Sequence, residues 1–192
     1  MTNVTIMGSR AATDNGTSYG GAVYWKNDRE KANINESSFI NNTADLGGAV
    51  YMDNTNTDVF DTLFMGNVAD LGGAFYGNAK TDMFGNVSFV ENKVKSNGGA
   101  VYIKNAVLKV YNSSLTGNRA EQNGGAIYHN NAAASDSSEI IGTNLTYNVA
   151  YKGSAIYANK LFALTNDVLL DNQANANRFD NKKIGVNNIT IA

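Results

Sequence analysis

Phe39–Tyr51 reads FINNTADLGGAVY, and the chain keeps returning to it. Phe64–Tyr76 is FMGNVADLGGAFY, Phe89–Tyr102 is FVENKVKSNGGAVY, Leu115–Tyr128 is LTGNRAEQNGGAIY and Leu145–Tyr157 is LTYNVAYKGSAIY. A looser copy opens at Ile6–Ala11 and reaches GGAVY at Gly20–Tyr24; a half-copy closes at Leu169–Ala174. Self-similarity at a period of about 25 residues marks an array, in which stacked units share one continuous core.

Aligned on the Phe/Leu of the xxN motif, the copies give three apolar columns. They are Ile6, Phe39, Phe64, Phe89, Leu115, Leu145 and Leu169; five positions earlier, Ile34, Val59, Phe84, Val110, Ile140 and Leu164; and after the glycines, Val23, Val50, Phe75, Val101, Ile127 and Ile156. Polar or small residues flank each column, which is the period of short strands and not of helices. Three short strands per unit, joined by Gly/Asn-rich bends, describe one turn of a parallel β-helix. Parallel crossovers prefer the right hand. The expectation is therefore an all-β, right-handed, single-stranded parallel β-helix of pectin-lyase-like form, about six coils long, with residues 1–192 as one domain and a fragment of a larger protein.

Stacking places equivalent residues about 4.8 Å apart along the axis. Asn42, Asn67, Asn92, Asn118, Asn148 and Asn172 then form a ladder, because an amide both donates and accepts. The glycine pair supplies backbone conformations or close approaches closed to other residues. Ser154 replaces the second glycine, which reads as the more forgiving position. Strand alternation favours the aliphatic of GGAVY facing in and the tyrosine out. Trp25, Met52, Gly77, Ile103, His129 and Ala158 would then also face in. The reverse reading, with alanine and tyrosine inside, would explain why the alanine does not vary among the copies.

Composition narrows the function. With 15 Lys+Arg against 17 Asp+Glu and a net charge of −2, no basic stripe exists to meet a phosphate backbone, so nucleic acid is a poor partner. Cysteine is absent, which removes disulfides and thiolate metal sites. No stretch approaches the 18 apolar residues or so of a membrane span, and no signal-peptide pattern is present.

The motif [F/L]xxNxA followed by GGA[I/V] resembles the repeat of the chlamydial polymorphic outer-membrane proteins. It is similar as well to adhesin-like surface proteins of gut methanogens. The likeness covers about residues 6–174, departing at Ser9 and Ser154. It implies an extracellular, cell-surface β-helix stalk used in attachment, and carries over no catalytic residue.

Candidate sites follow, each beside its plainer reading. Tyr51, Tyr76 and Tyr102 would form an aromatic stripe able to meet sugar rings or a protein; packing is the alternative. Trp25, Lys26 and Arg29 lie at the Lys26–Lys31 loop; His129, Asn130 and Asn131 open the longer loop His129–Ser138. Both loops leave at one corner, about four coils or roughly 20 Å apart. They are the expected contacts with a glycan or protein of a host or neighbouring cell. Asp45/Asp70 and Glu36/Asp61 fall in adjacent coils. Stacked carboxylates serve polysaccharide lyases and hydrolases, but a solvated charge ladder is the commoner reason for them. One histidine excludes a multi-histidine metal centre, and Asp53–Asp58 lacks the glycine and terminal glutamate of a calcium loop. No metal, cofactor or membrane insertion is expected. Sequons begin at Asn3, Asn15, Asn35, Asn41, Asn86, Asn112, Asn144 and Asn188. The expected function is a non-enzymatic adhesin-like segment; the alternatives are a carbohydrate-active β-helix and a module that self-associates through its exposed coil ends.

Overall fold

The computed structural model describes residues 1–26, 30–131, 138–159, 163–174 and 189–191. Among them every ladder is parallel and no helix occurs. The apolar columns stack in register: Ile6 on Phe39, Phe64, Phe89, Leu115, Leu145 and Leu169 in a first sheet of eight strands. A third sheet of ten strands aligns Val23, Val50, Phe75, Val101, Ile127 and Ile156, and beside them Ile34, Val59, Phe84, Val110, Ile140 and Leu164. The result is a β-solenoid of about five turns, slightly fewer than the period alone implies.

The division into strands differs from the sequence expectation. Where no loop intervenes, the GGAVY strand runs straight into the next coil's approach strand, giving the long strands Phe75–Gly85 and Val101–Tyr111. The third face of the turn is instead a small second sheet built on the xNxA segment, including Val68–Leu71, Lys93–Asn97 and Arg119–Ala120. Its inward side chains are the small column, Ala69, Val94, Ala120 and Ala150, which form their own buried cluster. A methyl or little more fits there because two sheets meet at a sharp corner.

Left-handed positions recur in three columns, and Asn54, Lys80 and Asn105 add a further one between the two segments of the third sheet. One column comprises Asn3, Glu36, Asp61, Asn86, Asn112, Gly142 and Asn166; a second Gly8, Asn41, Gly66, Glu91, Gly117, Tyr147 and Asp171; a third the first glycine of each pair, Gly20 to Gly153. Positive φ is cheap for glycine and tolerable for asparagine. Three sequons, at Asn3, Asn86 and Asn112, coincide with the first of these bends, so the backbone already accounts for their asparagines.

Both glycines of the pair are closed to a side chain: the first is held at positive φ with its Cβ position 2.0–2.4 Å from the carbonyl oxygen three residues on, and the second is not the forgiving position expected. A Cβ on Gly99 would lie 1.9 Å from the carbonyl oxygen of Gly125 in the next coil, and one on Gly125 1.9 Å from that of Ser154. Coils approach closely here, and no side chain fits between them. Ser154 stands in the last such segment of the sequence.

Inside, the aliphatics and phenylalanines form one core with Ala49, Ala74, Ala100, Ala126 and Ala155. Alanine and the following aliphatic both point in because the chain is still turning. The two N–H groups of Ala49 and Val50 donate to one carbonyl, that of Ala74. The alanine is thus confined without the tyrosine turning inward. Phe39, Phe64 and Phe89 stack face to face, with ring centroids 5.0 and 4.9 Å apart.

The asparagine ladder is as expected and runs unbroken. Asn67 Oδ1 accepts from the Asn42 backbone N–H at 2.9 Å and from Asn42 Nδ2 at 3.1 Å, while Asn67 Nδ2 donates to the Phe39 carbonyl at 3.0 Å. The same triad repeats at Asn92, Asn118, Asn148 and Asn172. Each amide ties three groups of the preceding coil, so a buried corner is satisfied without water. A second polar ladder was not anticipated. Thr62, Ser113, Thr143 and Asp167 accept from the backbone N–H groups of Ser37, Val87, Ser113 and Thr143.

Candidate functional site

The tyrosines stand on the outer side of the third sheet, as alternation requires, and they stack continuously. Centroids of Tyr51, Tyr76, Tyr102, Tyr128 and Tyr157 lie 4.9, 4.7, 4.8 and 5.2 Å apart in succession. They are nevertheless covered: Tyr51, Tyr76 and Tyr102 are only 5–8% exposed, packed with Leu46 and Leu71. The glycine bend folds the preceding segment back beside the rings. Burial, ahead of nearby Asp53, pushes the Tyr51 phenol up to about 12 and raises Tyr76 and Tyr102 as well. The expectation of an open aromatic stripe is corrected accordingly: the central rings present edges and not faces. Open rings occur at the first turn, where Tyr19 and Tyr24 pack on Tyr51 at 4.9 and 5.5 Å and are themselves exposed.

The loop candidates divide. Trp25 occupies the inward column above Met52 yet is 43% exposed, because it lies in the first turn. Lys26 is exposed and pairs with Asp53 at 3.5 Å. Arg29 lies outside the described residues, as do 132–137 of the longer loop. His129 is fully buried in the column of Met52 and Ile103, its Nε2 3.1 Å from the Ala106 carbonyl and 3.2 Å from Ser138 Oγ. Asn131 is buried, its N–H donating to Asn159 Oδ1 at 3.0 Å; Asn130 Oδ1 accepts from Asn159 Nδ2 at 2.8 Å. These two asparagines pin the loop's base to the next coil, and His129 is a core residue rather than a contact.

The acidic pairs are adjacent, as the register demands, but each carboxylate is already engaged. Asp45 Oδ2 accepts from the Ser18 N–H at 2.8 Å, and this bond, followed by the Ser18 side chain, lowers its pKa; the Asp45 backbone N–H donates in turn to Ser18 Oγ at 2.9 Å. Asp70 pairs with Lys95 at 2.9 Å, which raises the lysine. Asp61 accepts from Asn86 Nδ2, and Glu36 from Asn35 Nδ2. Glu36, Asp61 and Asn86 line a shallow polar depression at the first bend. No group of three or more His, Cys, Asp or Glu side chains is placed to hold a metal among the described residues.

One chemically distinctive residue was missed. Asp82 points into the coil between Thr57 and Leu108 of the neighbouring turns and is fully buried. Its Oδ2 fills the room that a side chain at Gly77 would take. Neither oxygen has a hydrogen-bond partner of good geometry, and the Thr57 hydroxyl beside it is directed at the Thr55 carbonyl, 3.5 Å away. Burial pushes the Asp82 carboxyl up to about 8, against a smaller downward pull from Thr57. The carboxyl is protonated at neutral pH. No periodicity exposes it, since its column reads Thr57, Asp82, Leu108.

Stacked coils, an internal amide ladder and engaged carboxylates define a β-solenoid repeat protein. Three of its stretches, residues 36–53, 86–104 and 112–130, match the Chlamydia polymorphic membrane protein repeat. The copies between and after them, at Phe64 and Leu145, stack in the same register. No curated protein and no solved structure gives a significant match.

Proposed function

We propose that the chain is a non-enzymatic, adhesin-like segment of a cell-surface protein: a stiff rod that carries contact loops away from the cell. The observation that supports this most is the combination of three family repeats with unbroken columns through the whole stack. A rod in which each amide clamps the coil before it transmits position without bending. The Lys26–Lys31 and His129–Ser138 segments interrupt the third sheet at the corner where Phe75–Gly85 and Val101–Tyr111 run through. Irregular insertions on a regular scaffold are where variable contacts concentrate. The Asn130 and Asn131 bonds give the longer insertion a rigid base. Tyr19 and Tyr24, exposed at the first turn, add aromatic surface suited to a sugar or protein.

The test is a glycan and cell-binding array with loop-swapped variants, in which binding should follow the loops. Turnover of pectin, alginate or a host glycan that Asp70→Asn abolishes would overturn the proposal in favour of a carbohydrate-active enzyme.

A further inference from the structure

The three outer faces of the coil differ in charge. The third sheet carries Lys26, Asp53, Lys104 and Lys109, and the second is bordered by Asp45, Asp70, Lys95 and Glu121. The outer face of the first sheet carries none, the buried Asp167 apart. In its seven strands from Thr5–Met7 to Asp167–Leu170, the two outward positions beside each core residue are all uncharged. One column begins Met7, Ile40, Met65 and Val90; the other includes Ser38, Ser88 and Ser114. Met7 is 63% and Met65 37% exposed. In a chain with 17% charged residues, a solvent-facing sheet surface of apolar, Ser, Thr and Asn side chains without an ionised group is less costly to desolvate than either other face.

We propose that this face is a lateral contact between copies of the chain, with two coils lying side by side, first sheet against first sheet. Period selects the occupant. The chemistry recurs at every strand spacing, about 4.8 Å, and a partner with another repeat drifts out of step within a few coils. The same face of a second copy has the same rise and stays matched along its length. Charge agrees. Meeting through either other face would desolvate columns of ionised groups, whereas here nothing ionised is covered. Glu36, Asp61 and Glu91 stand at the bordering bends, so two copies repel weakly at the rim and salt favours their approach. The face is about 30 Å by 10 Å from strand spacing and length, well below the roughly 800 Å² per partner of a stable dimer. The contact is therefore weak in free solution and gains by multivalency where rods are held side by side. It differs from association through coil ends, and does not depend on what the loops bind.

Sedimentation velocity from about 20 μM to 1 mM, at low and high sodium chloride, reads the contact. The expected result is a monomer that dimerises towards the upper concentration, more so in high salt. Met65→Lys with Val90→Lys should weaken dimerisation at least tenfold with an unchanged melting midpoint. Ser88→Lys, at an already polar position, supplies the same charge should the double variant unfold. Lys104→Glu on the third sheet should leave association intact. A chain monomeric at 1 mM in high salt overturns the proposal. So does association that survives the lysine variants but is lost in Trp25→Ser at the coil end, or a first-sheet face that binds neutral polysaccharide or neutral vesicles without self-association.

Discussion

Replacing Asp82 by asparagine tests the interior directly, because the two side chains share a shape and differ in titration. The Asp82 carboxyl lies at about 8 in the folded chain, against an ordinary 3.8. Unfolded chains release this proton near pH 4, while the folded chain holds it until about pH 8. Between those values the unfolded state binds fewer protons, so stability is fullest below pH 4 and falls as pH rises. The slope is about 1.4 kcal/mol per pH unit from this group alone. Over the whole window it amounts to on the order of 5 kcal/mol, an upper bound if water reaches the opened site. Asp167, raised by burial to about 6 despite bonds from the Thr143 and Thr165 N–H groups, adds the same sign below pH 6. Asp45, lowered, acts oppositely and loses its contribution only in acid. From pH 6 to 8 the difference between wild type and Asp82→Asn therefore isolates Asp82, because His129 is common to both proteins. Thermal melts across it should show wild type losing about 2–3 kcal/mol more than the variant, roughly 4–12 °C for a chain of this size. Asp82→Asn should show a flatter profile and be the more stable protein at pH 8. Melting curves that run parallel from pH 6 to 8 would refute the account of an unpartnered interior carboxyl.

Three other outcomes follow from the packing. Asn67→Ala leaves the Asn42 N–H, Asn42 Nδ2 and Phe39 carbonyl without their partner; denaturant melts should show a loss of about 3–9 kcal/mol, at about 1–3 for each orphaned group. Gly99→Ala sets a methyl against a backbone oxygen, so circular dichroism should show loss of the β signal or a much lower midpoint, whereas Ser154→Gly stays within about 1 kcal/mol of wild type. Tyr76→Ser empties the middle of the ring stack and should cost about 3 kcal/mol or more, while Tyr24→Ser at the exposed end should change the midpoint little.

What was legible in the sequence is what stacking forces to recur. Phe39, Phe64 and Phe89 each need an apolar residue at the same place in the neighbouring coils, and Asn42 needs an amide in the next coil, so the requirement is written at every turn. The first two bends were not legible in the same way. Their residues share only a backbone conformation, which Asn86, Glu91, Gly117 and Tyr147 all adopt. The second sheet was hidden for a related reason: its inward side chain is an alanine, and a small residue beside a bend does not announce a strand.

The candidate site was less legible than the fold, and the tyrosines show why. Alternation says which side of a strand Tyr76 leaves from; it does not say what else arrives on that side. Gly47 and Gly72 turn the chain so that Leu46 and Leu71 come to rest against the rings, a contact between residues of different sheets that no single-strand pattern encodes. His129 is the converse case. It follows a tyrosine, and alternation placed it inside, yet a lone histidine beside a loop reads as a contact residue. The register decides between them, because the side chains paired with it in neighbouring coils are Ile103 and Ala158. In a stack of equal turns, the residues one period away say more about a side chain's surroundings than its neighbours in the chain do.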